Sequence, residues 1–244
     1  MIARIFRAFF MCLGMFTAIP CPYRPWDEDA RGLMLATLPA VGAVVGALWF
    51  ALVELGSWLV PPVHGALVVA LPWLLTGFIH LDGYMDTCDA MLSWRPLEKR
   101  LEILKDSHTG AFAVVGLVLL ALFSYDAANS WAVDMRPLIF IPIVSRCGSA
   151  FSVLALRPIG HSQYAEMNGS DVQRLTVAVI WIAAVGCCAL WLGRSAIVLL
   201  IETLAYTAAM AWVYRTLHGV SGDLAGFALT ISECAALVAL AAIP

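Results

Sequence analysis

The chain has 244 residues, of which 62% are hydrophobic and 13% charged, and its formal net charge is −3. Soluble globular domains average about 45–50% apolar and about 25% charged residues, so this composition excludes an ordinary soluble domain. The small net charge gives no reason to expect nucleic-acid binding. Because spanning helices need about 20 apolar residues, and several such runs are present, we predict an all-α, polytopic membrane helical bundle that forms one domain over 1–244.

The N-terminal segment is predicted to form a short helix that lies at the membrane interface or re-enters the bilayer. Arg4 and Arg7 precede an apolar run that ends at Ile19, and Pro20 and Pro22 follow. This pattern is similar to a signal peptide, but no small-x-small cleavage site follows it. The apolar run is also short for a span. We therefore expect this helix to be retained as an interfacial or re-entrant element.

Seven membrane-spanning helices are predicted after this segment. They lie near 33–53, 63–80, 110–125, 137–156, 172–192, 196–213 and 225–243. On this assignment one side of the membrane carries Arg4, Arg7, Arg24, Arg31, Arg95, Lys99, Arg100, Lys105, Arg157, Arg174 and Arg215, and the other carries only Arg136 and Arg194. Cytoplasmic loops are enriched in lysine and arginine, so the richer side, which includes the loop after the second span, is predicted to face the cytoplasm.

The most informative polar residues follow the second span, where Asp82, Asp86 and Asp89 occur at i, i+4 and i+7. At about 100° per residue these carboxylates fall within roughly 60° of one another on a helix, and His80 points the other way. Like charges on one face repel, and Mg²⁺, which takes carboxylate oxygens and bridges to phosphates, relieves that repulsion. We therefore predict a metal site, with a solvated acidic helix start as the alternative.

A second polar segment lies between the second and third spans. Residues 96–106 are predicted to form an amphipathic helix on the cytoplasmic face, with an apolar stripe of Leu97, Leu101 and Leu104. The residues that follow bring a carboxylate, hydroxyls and an imidazole to the membrane surface. We predict Asp106 as a further metal ligand and Lys105, Ser107 and His108 as substrate contacts, with a polar cap of the next helix as the alternative.

Charged residues inside the spans are costly and need a partner or a cavity. Arg146 in the fourth span is predicted either to bind a substrate phosphate through its planar guanidinium or to form a structural ion pair, with Glu202 as one possible partner. Glu233 in the last span is open to the same two interpretations.

A glycine-rich turn opens the last span. It contains Ser221, Gly222 and Asp223, which are predicted to approach a phosphate or nucleotide closely. The alternative is a simple turn in which Asp223 or Ser221 caps the helix.

Together these residues predict phosphoryl transfer at the cytoplasmic membrane surface. No cysteine–histidine or serine–histidine nucleophile arrangement is legible, and in phosphoryl transfer the protein mainly positions reactants and neutralises charge. Asp82, Asp86 or His80 is predicted to take the proton from the attacking hydroxyl.

The motifs resemble those of the cobalamin synthase family. The run from Gly77 to Asp89 is similar to its G-G-x-H-x-D-G-x-x-D-x-x-D signature, the run from Lys105 to Phe112 to its K-D-S-x-x-G-A segment, and the run from Val220 to Asp223 to its G-x-T-G-D turn. Phe16 to Pro20, and Pro39 with Gly42 and Gly46, resemble two further family segments, so the resemblance covers nearly the whole chain. Phe78 and Ala90 replace usual glycines, and His218 stands where glycine usually precedes the last turn.

The resemblance implies an Mg²⁺-dependent enzyme of the bacterial inner membrane whose active site faces the cytoplasm. Its reaction joins adenosylcobinamide-GDP to α-ribazole or its 5′-phosphate, giving adenosylcobalamin or its 5′-phosphate plus GMP. On this basis Asp82, Asp86 and Asp89 hold the metal, Asp106 and Asp223 complete the site, and His80, Lys105 and Arg146 lie near phosphate or substrate. A homo-oligomer, or a complex with other cobalamin-assembly enzymes, is compatible with the resemblance.

Two other functions stay open. A CDP-alcohol phosphotransferase also uses acidic residues on membrane helices, but the chain lacks the D-x-x-D-G-x-x-A-R motif and the second half, G-x-x-x-D-x-x-x-D. A membrane transporter would explain charges inside the spans, but it favours polar groups at the bilayer midplane in broken helices. Here most of the polar groups gather at one surface.

Overall fold

The computed structural model describes residues 1–21, 23, 26–130, 134–159 and 169–242. Arg24 and the predicted end of the last span at residue 243 therefore lie outside the described residues. The α-helices are α1 (Ile2–Phe16), α2 (Glu28–Arg31), α3 (Met34–Leu55), α4 (Pro61–Leu75), α5 (Ile79–Leu92), α6 (Leu97–Ile103), α7 (Ala111–Asn129), α8 (Ile141–Ala155), α9 (Asp171–Leu192), α10 (Ile197–Leu217) and α11 (Gly222–Ala242). Short 3₁₀ turns span Arg136–Ile139 and Gly193–Ala196. The predicted all-α fold is confirmed.

Within the described part of the chain, five helical stretches are long and apolar enough to cross a membrane, or six if the bent pair of α4 and α5 counts as one span. One of the five, Asp171–Leu217, has 47 residues and contains both α9 and α10. These two helices fold back on each other, since Trp181 of α9 donates a hydrogen bond of 3.1 Å to the hydroxyl of Thr203 in α10. The polytopic membrane bundle is confirmed, while the total of seven spans and the single domain over 1–244 stay predictions.

Contacts at the helix ends agree with the predicted alternation of loops. At one end of the bundle, which we call the proximal end, the Gln173 amide donates to the Gly32 carbonyl at 2.6 Å, and Val220 N donates to the Arg157 carbonyl at 2.9 Å. At the other, distal end, the Arg136 guanidinium lies 5.8 Å from the centre of the Trp191 ring. Each contact joins loops that the sequence assigned to the same side.

The predicted second span, 63–80, is not one continuous helix. Helix α4 ends at Leu75, and the axis of α5 is bent by 94° from it. Gly77 and Phe78 adopt left-handed φ angles of 59° and 63°. Two successive left-handed residues cannot continue a right-handed helix, so the chain turns before α5 begins at Ile79.

The N-terminal helix α1 has 15 residues and is not among the stretches long enough to span a membrane. Its buried residues belong to the same apolar cluster as residues of α3, and Ala18 N donates to the Leu75 carbonyl at 2.9 Å, which ties the end of α1 to the end of α4. Arg7 forms an exposed ion pair of 2.8 Å with Asp27, and its hydrogen bond lowers the pKa of the Asp27 carboxyl. The predicted short helix is confirmed, while its interfacial or re-entrant placement stays a prediction.

The amphipathic segment is helical over Leu97–Ile103, which is shorter than the predicted 96–106. Leu97 and Leu101 pack against a buried cluster that includes Leu104, while the charged side chains face outward. The apolar stripe is therefore confirmed. After Ile103 the chain forms tight turns instead of continuing the helix.

Helix α11 lies at the centre of the bundle, packed against α5, α7, α8 and α10. Most of its residues are buried, from Leu224 near its start to Leu240 near its end. The first turn of this central helix reaches the proximal end next to α5. The packing of α5 against α11 therefore determines where the polar residues of both helices meet.

Candidate active site

Asp82, Asp86 and Asp89 lie on the continuous helix α5, so they share one face as their spacing predicted. We call this surface the acidic face. Asp82 is exposed, Asp86 is half-buried and Asp89 is buried. The face therefore runs from open solvent into the protein.

Asp223 of α11 joins the acidic face. The charges of Asp82, Asp223 and Asp89 all act on the Asp86 carboxylate, and the charge of Asp82 acts on Asp223. Gly83 permits this approach, because a Cβ atom at that position would lie 2.8 Å from the Asp223 Cα. Four carboxylates from two helices thus converge at the proximal end.

The turn before α11 explains why Asp223 is available. Ser221 Oγ accepts a hydrogen bond of 3.3 Å from Leu224 N, as a helix-capping side chain does. The same hydroxyl donates to Asp223 Oδ2 at 3.4 Å. Ser221 is therefore the capping residue among the two that the sequence left open. Gly222 is the first residue of the helix, and the backbone of Asp223 packs against Gly83 of α5.

Asp89 has a structural task that the sequence analysis missed. Its Oδ2 accepts from Gly110 N at 2.7 Å and its Oδ1 accepts from Ala113 N at 2.9 Å, so the side chain caps helix α7 from a distant helix. A negative charge at this position also suits the positive end of the α7 dipole. Asp89 therefore fixes the segment before α7 beside the acidic face.

The segment of residues 105–109 lies at the rim of the site. His108 N donates to Asp106 Oδ1 at 3.1 Å, and His108 Nδ1 lies 2.7 Å from the same oxygen. These hydrogen bonds lower the pKa of the Asp106 carboxyl. Lys105 and Ser107 are exposed. Asp106 and His108 line a cavity of about 630 Å³ together with Asp89.

His80 points away from the acidic face, as predicted. Its imidazole is stacked on the Phe16 ring with centroids 6.1 Å apart, and Nε2 is buried with no hydrogen-bond partner among the described residues. The structure does not bring this ring to the carboxylates. Its role as a proton acceptor stays a prediction.

Arg146 lies in the interior of the bundle, with 1% of its surface exposed. It pairs with Glu233 of α11, and Ser145 Oγ donates to the same Glu233 oxygen at 2.8 Å. Glu202 is fully buried nearby, and neither of its carboxyl oxygens has a hydrogen-bond partner in the described part of the chain. The ion-pair partner is thus Glu233 instead of Glu202. A phosphate contact by Arg146 stays a prediction.

The donor chemistry of the acidic face fits a hard divalent cation. None of the ion pairs between described residues involves Asp82, Asp86, Asp89 or Asp223, so their charges are not neutralised by the protein. Within the described ranges, no three histidine, cysteine or acidic side chains are already drawn together at ligand distance. The oxygens present are those that Mg²⁺ prefers.

Backbone strain is concentrated around this site. Among the described residues, the non-glycine residues with positive φ are Phe78 at 63°, Trp94 at 53° and His218 at 57°. Phe78 precedes α5, Trp94 follows it, and His218 precedes the turn that leads to Asp223. Such conformations cost about 1–3 kcal/mol each and are found preferentially at functional sites. Phe78 and His218 were visible in the sequence as departures from glycine, whereas Trp94 carried no such signal.

These features define a multi-pass α-helical membrane protein whose convergent carboxylates lie at one end of the bundle. The family model described as Cobalamin-5-phosphate synthase matches residues 8–241. The chain belongs to this family, and the resemblance of its motifs is confirmed.

Curated relatives are similar to this protein along nearly its whole length. The chain is 36% identical to "Adenosylcobinamide-GDP ribazoletransferase" of Clostridium botulinum (strain Alaska E43 / Type E3) over 244 residues, which cover 96% of each protein. It is 35% identical to the protein of that name in Clostridium perfringens (strain 13 / Type A) over 96% of this chain and 97% of the relative. It is 32% identical to the protein of that name in Geotalea daltonii, over 97% of this chain and 98% of the relative. No solved structure matches the chain.

Proposed function

We propose that this protein is a membrane transferase that joins adenosylcobinamide-GDP to α-ribazole or its 5′-phosphate, releasing GMP. The observation that carries the proposal is the convergence of Asp82, Asp86 and Asp223 at one end of a membrane bundle in this family. Its relatives bear the name of this reaction. The product is adenosylcobalamin or its 5′-phosphate, so the reaction completes the nucleotide loop.

The chemical step is an in-line displacement at phosphorus. Because the 5′ position can carry a phosphate in both the acceptor and the product, another ribose hydroxyl of ribazole forms the bond to the phosphorus that carries the cobinamide side, and the bond from that phosphorus to the bridging oxygen of GMP breaks. The hydroxyl proton passes to Asp82 or Asp86, which lie on the open part of the acidic face. The leaving GMP keeps the bridging oxygen.

Asp82, Asp86 and Asp223 are the residues best arranged to hold Mg²⁺. When bound, Mg²⁺ neutralises charge on the phosphate oxygens of the substrate. Asp89 already accepts two backbone hydrogen bonds, and Asp106 accepts two contacts from His108, so each has fewer free lone pairs for a metal. Asp89 and Asp106 stay proposed Mg²⁺ ligands, but they should contribute less to Mg²⁺ binding than the other three carboxylates.

We also propose that the proximal end faces the cytoplasm of a bacterial inner membrane. The support is the excess of lysine and arginine in the loops of that end, against Arg136 and Arg194 in the loops of the distal end. Labelling a cysteine introduced at Ser93 checks the orientation. Reaction of that cysteine from outside the cell would contradict it.

The direct test incubates the purified protein in detergent with adenosylcobinamide-GDP and α-ribazole, with and without Mg²⁺. We expect the wild-type protein to release one GMP for each adenosylcobalamin formed. Asp126 is an exposed residue near the distal end of α7, and the control variant Asp126→Asn should show the same turnover as the wild type. We expect strongly reduced turnover with Asp86→Asn. Absence of GMP from the wild-type reaction would contradict the proposal. Release of CMP from a CDP-linked lipid precursor would instead support the CDP-alcohol phosphotransferase alternative.

A further inference from the structure

Two cavities adjoin α5, one at each end of the acidic face. The first, which we call the N-side cavity, has a volume of about 440 Å³ and is lined by residues that include Thr76, Phe78 and Asp82. The second, the C-side cavity, is the one of about 630 Å³ and is lined by Asp89, Trp94, Arg95 and His108, among others. Asp82 and Asp89 are seven residues apart, or roughly 10 Å along a helix that rises 1.5 Å per residue. The acidic face therefore bridges the two cavities.

The C-side cavity offers an aromatic ring and a cation. The Trp94 side chain is 83% exposed, and Arg95 is exposed beside it, with no ion-pair partner for its guanidinium in the described ranges. A nucleobase stacks well on a tryptophan ring, and arginine binds phosphate through two parallel hydrogen bonds. This combination suits a nucleotide.

The acidic residues of this cavity already accept hydrogen bonds from the protein. The Asp89 carboxylate accepts from two backbone N–H groups at the start of α7. Asp106 is held by His108, whose Nδ1 lies 2.7 Å from it. The Arg95 guanidinium has no ion-pair partner among the described residues, so it is the group in this lining that can bind a phosphate directly.

The N-side cavity has a different character. Among the described residues its lining contains no lysine or arginine, and it combines the exposed side chains of Met15, Phe78 and Ile79 with two threonines. The Thr76 hydroxyl already donates to the Pro72 carbonyl at 2.8 Å, so it is left mainly as an acceptor. An uncharged aromatic ligand with a hydroxyl group suits this lining better than a phosphate does.

Strained residues set the two walls. Phe78 and Trp94 both hold left-handed φ angles, one directly before α5 and one directly after it. One lines the N-side cavity and the other lines the C-side cavity. A strained conformation persists only where the surroundings impose it, and it often serves a ligand site.

We infer that the two substrates approach the acidic face from opposite ends. The guanosine part of adenosylcobinamide-GDP lies in the C-side cavity, with guanine on Trp94 and the GMP phosphate toward Arg95. The ribazole acceptor lies in the N-side cavity beside Phe78. The attacking hydroxyl and the phosphorus then meet near Asp86. This inference rests on the proposed function and adds to it the place of each substrate.

Steady-state kinetics with each substrate varied in turn test the assignment. Trp94→Ala should raise KM for adenosylcobinamide-GDP at least about tenfold, because base stacking is lost, while KM for α-ribazole stays near the wild-type value. Trp94→Phe keeps a ring and should restore most of the loss. Phe78→Gly should show the reverse pattern, raising KM for α-ribazole, and it should fold at least as well because glycine tolerates the left-handed conformation.

The matched control is Trp58→Ala. Trp58 is 81% exposed in the loop between α3 and α4, and we expect both KM values to be unchanged. Equal rises of both KM values in Trp94→Ala, or a rise for α-ribazole alone, would overturn the inference.

A binding measurement separates this inference from the proposed function. GMP titrated into the purified protein in a calorimeter should bind to the wild type and to Phe78→Gly, and at least about tenfold more weakly to Trp94→Ala and Arg95→Gln. Wild-type GMP affinity in both of the last two variants would overturn the inference even if the enzyme is active. A wild-type protein that binds GMP through Trp94 but forms no cobalamin would overturn the proposed function alone.

Discussion

The protein carries two groups of charged residues that differ in their surroundings. At the proximal end, the carboxylates of Asp82, Asp86 and Asp223 act on one another electrostatically, and none of them has an ion-pair partner among the described residues. Inside the bundle, Arg146 pairs with Glu233, and Glu202 lies buried beside them. The first group opens to cavities, and the second is sealed by α3, α8, α10 and α11.

The comparison shows that an ionisable residue in a membrane helix is not by itself a sign of catalysis. A buried pair compensates its own charge and contributes to the packing of the bundle. A group of like charges at an open surface costs stability and is useful only if something else neutralises it. The following predictions separate the two groups, beginning with the largest expected effect.

Loss of the buried cation should damage the fold most. Arg146→Met leaves Glu233 without its partner and should lower the free energy of unfolding by about 3–5 kcal/mol, because an unpaired charge is then buried. The double variant Arg146→Met/Glu233→Leu should recover much of that loss. Thermal unfolding in detergent measures both effects. Full stability of the single variant would show that the pair does not hold the bundle together.

The same double variant tests the phosphate contact predicted from the sequence. If Arg146 acts only through Glu233, the recovered protein should also recover turnover. Glu202→Gln is the matched control, since neither Glu202 oxygen has a hydrogen-bond partner among the described residues, and it should be neutral or stabilising. A stable double variant without activity would restore Arg146 to the substrate site.

Crowding the contact between α5 and α11 should affect both stability and activity. In Gly83→Ala the new methyl group meets the Asp223 backbone, so the helices must separate. Overpacking of this kind costs about 1–3 kcal/mol, and turnover should fall because Asp223 moves away from Asp86. Unfolding midpoints and GMP release measure the two effects. Gly186→Ala is the control, because no atom lies within 4 Å of a Cβ added there, and it should leave turnover unchanged without lowering the unfolding midpoint.

Removing charge from the acidic face should act on the rate and spare the fold. Asp82→Asn, Asp86→Asn and Asp223→Asn should each lower turnover at least about tenfold, or roughly 1.4 kcal/mol of transition-state stabilisation, without lowering the unfolding midpoint. Part of the activity should return at higher Mg²⁺. Double variants should lose less than the sum, because residues that share one ion act as a unit. Full activity without divalent metal, or in any two of these variants, would exclude this face as the catalytic centre.

The smallest effect is expected at Asp89, where cap and ligand can be told apart. Asp89→Ala should cost about 1 kcal/mol through loss of the α7 cap, while Asp89→Asn should keep part of that stability, because its one oxygen still accepts from one backbone N–H although its NH2 group faces the other. If Asp89 also binds metal, Asp89→Asn should lose activity despite its stability. Unfolding and turnover of the two variants, compared at several Mg²⁺ concentrations, decide between the roles.

The sequence alone determined the features that depend on order along one helix. Apolar runs gave the membrane bundle, and the spacing of Asp82, Asp86 and Asp89 gave the shared face, because α-helix geometry converts sequence separation directly into angle. The stripe of α6 and the direction of His80 away from the acidic face follow from the same relation. The motifs also identified the family, which the comparisons then confirmed.

Only the tertiary structure decided which helices meet. Nothing local predicts that Asp89 caps α7, that Glu233 is the partner of Arg146, or that Gly83 admits Asp223, since each depends on packing between helices distant in sequence. The break before α5 was also missed, because the apolar run continues through Gly77 and Phe78 to Ile79. The two cavities at the ends of the acidic face arise from that break and from the turn at Trp94, so tertiary contacts alone define them.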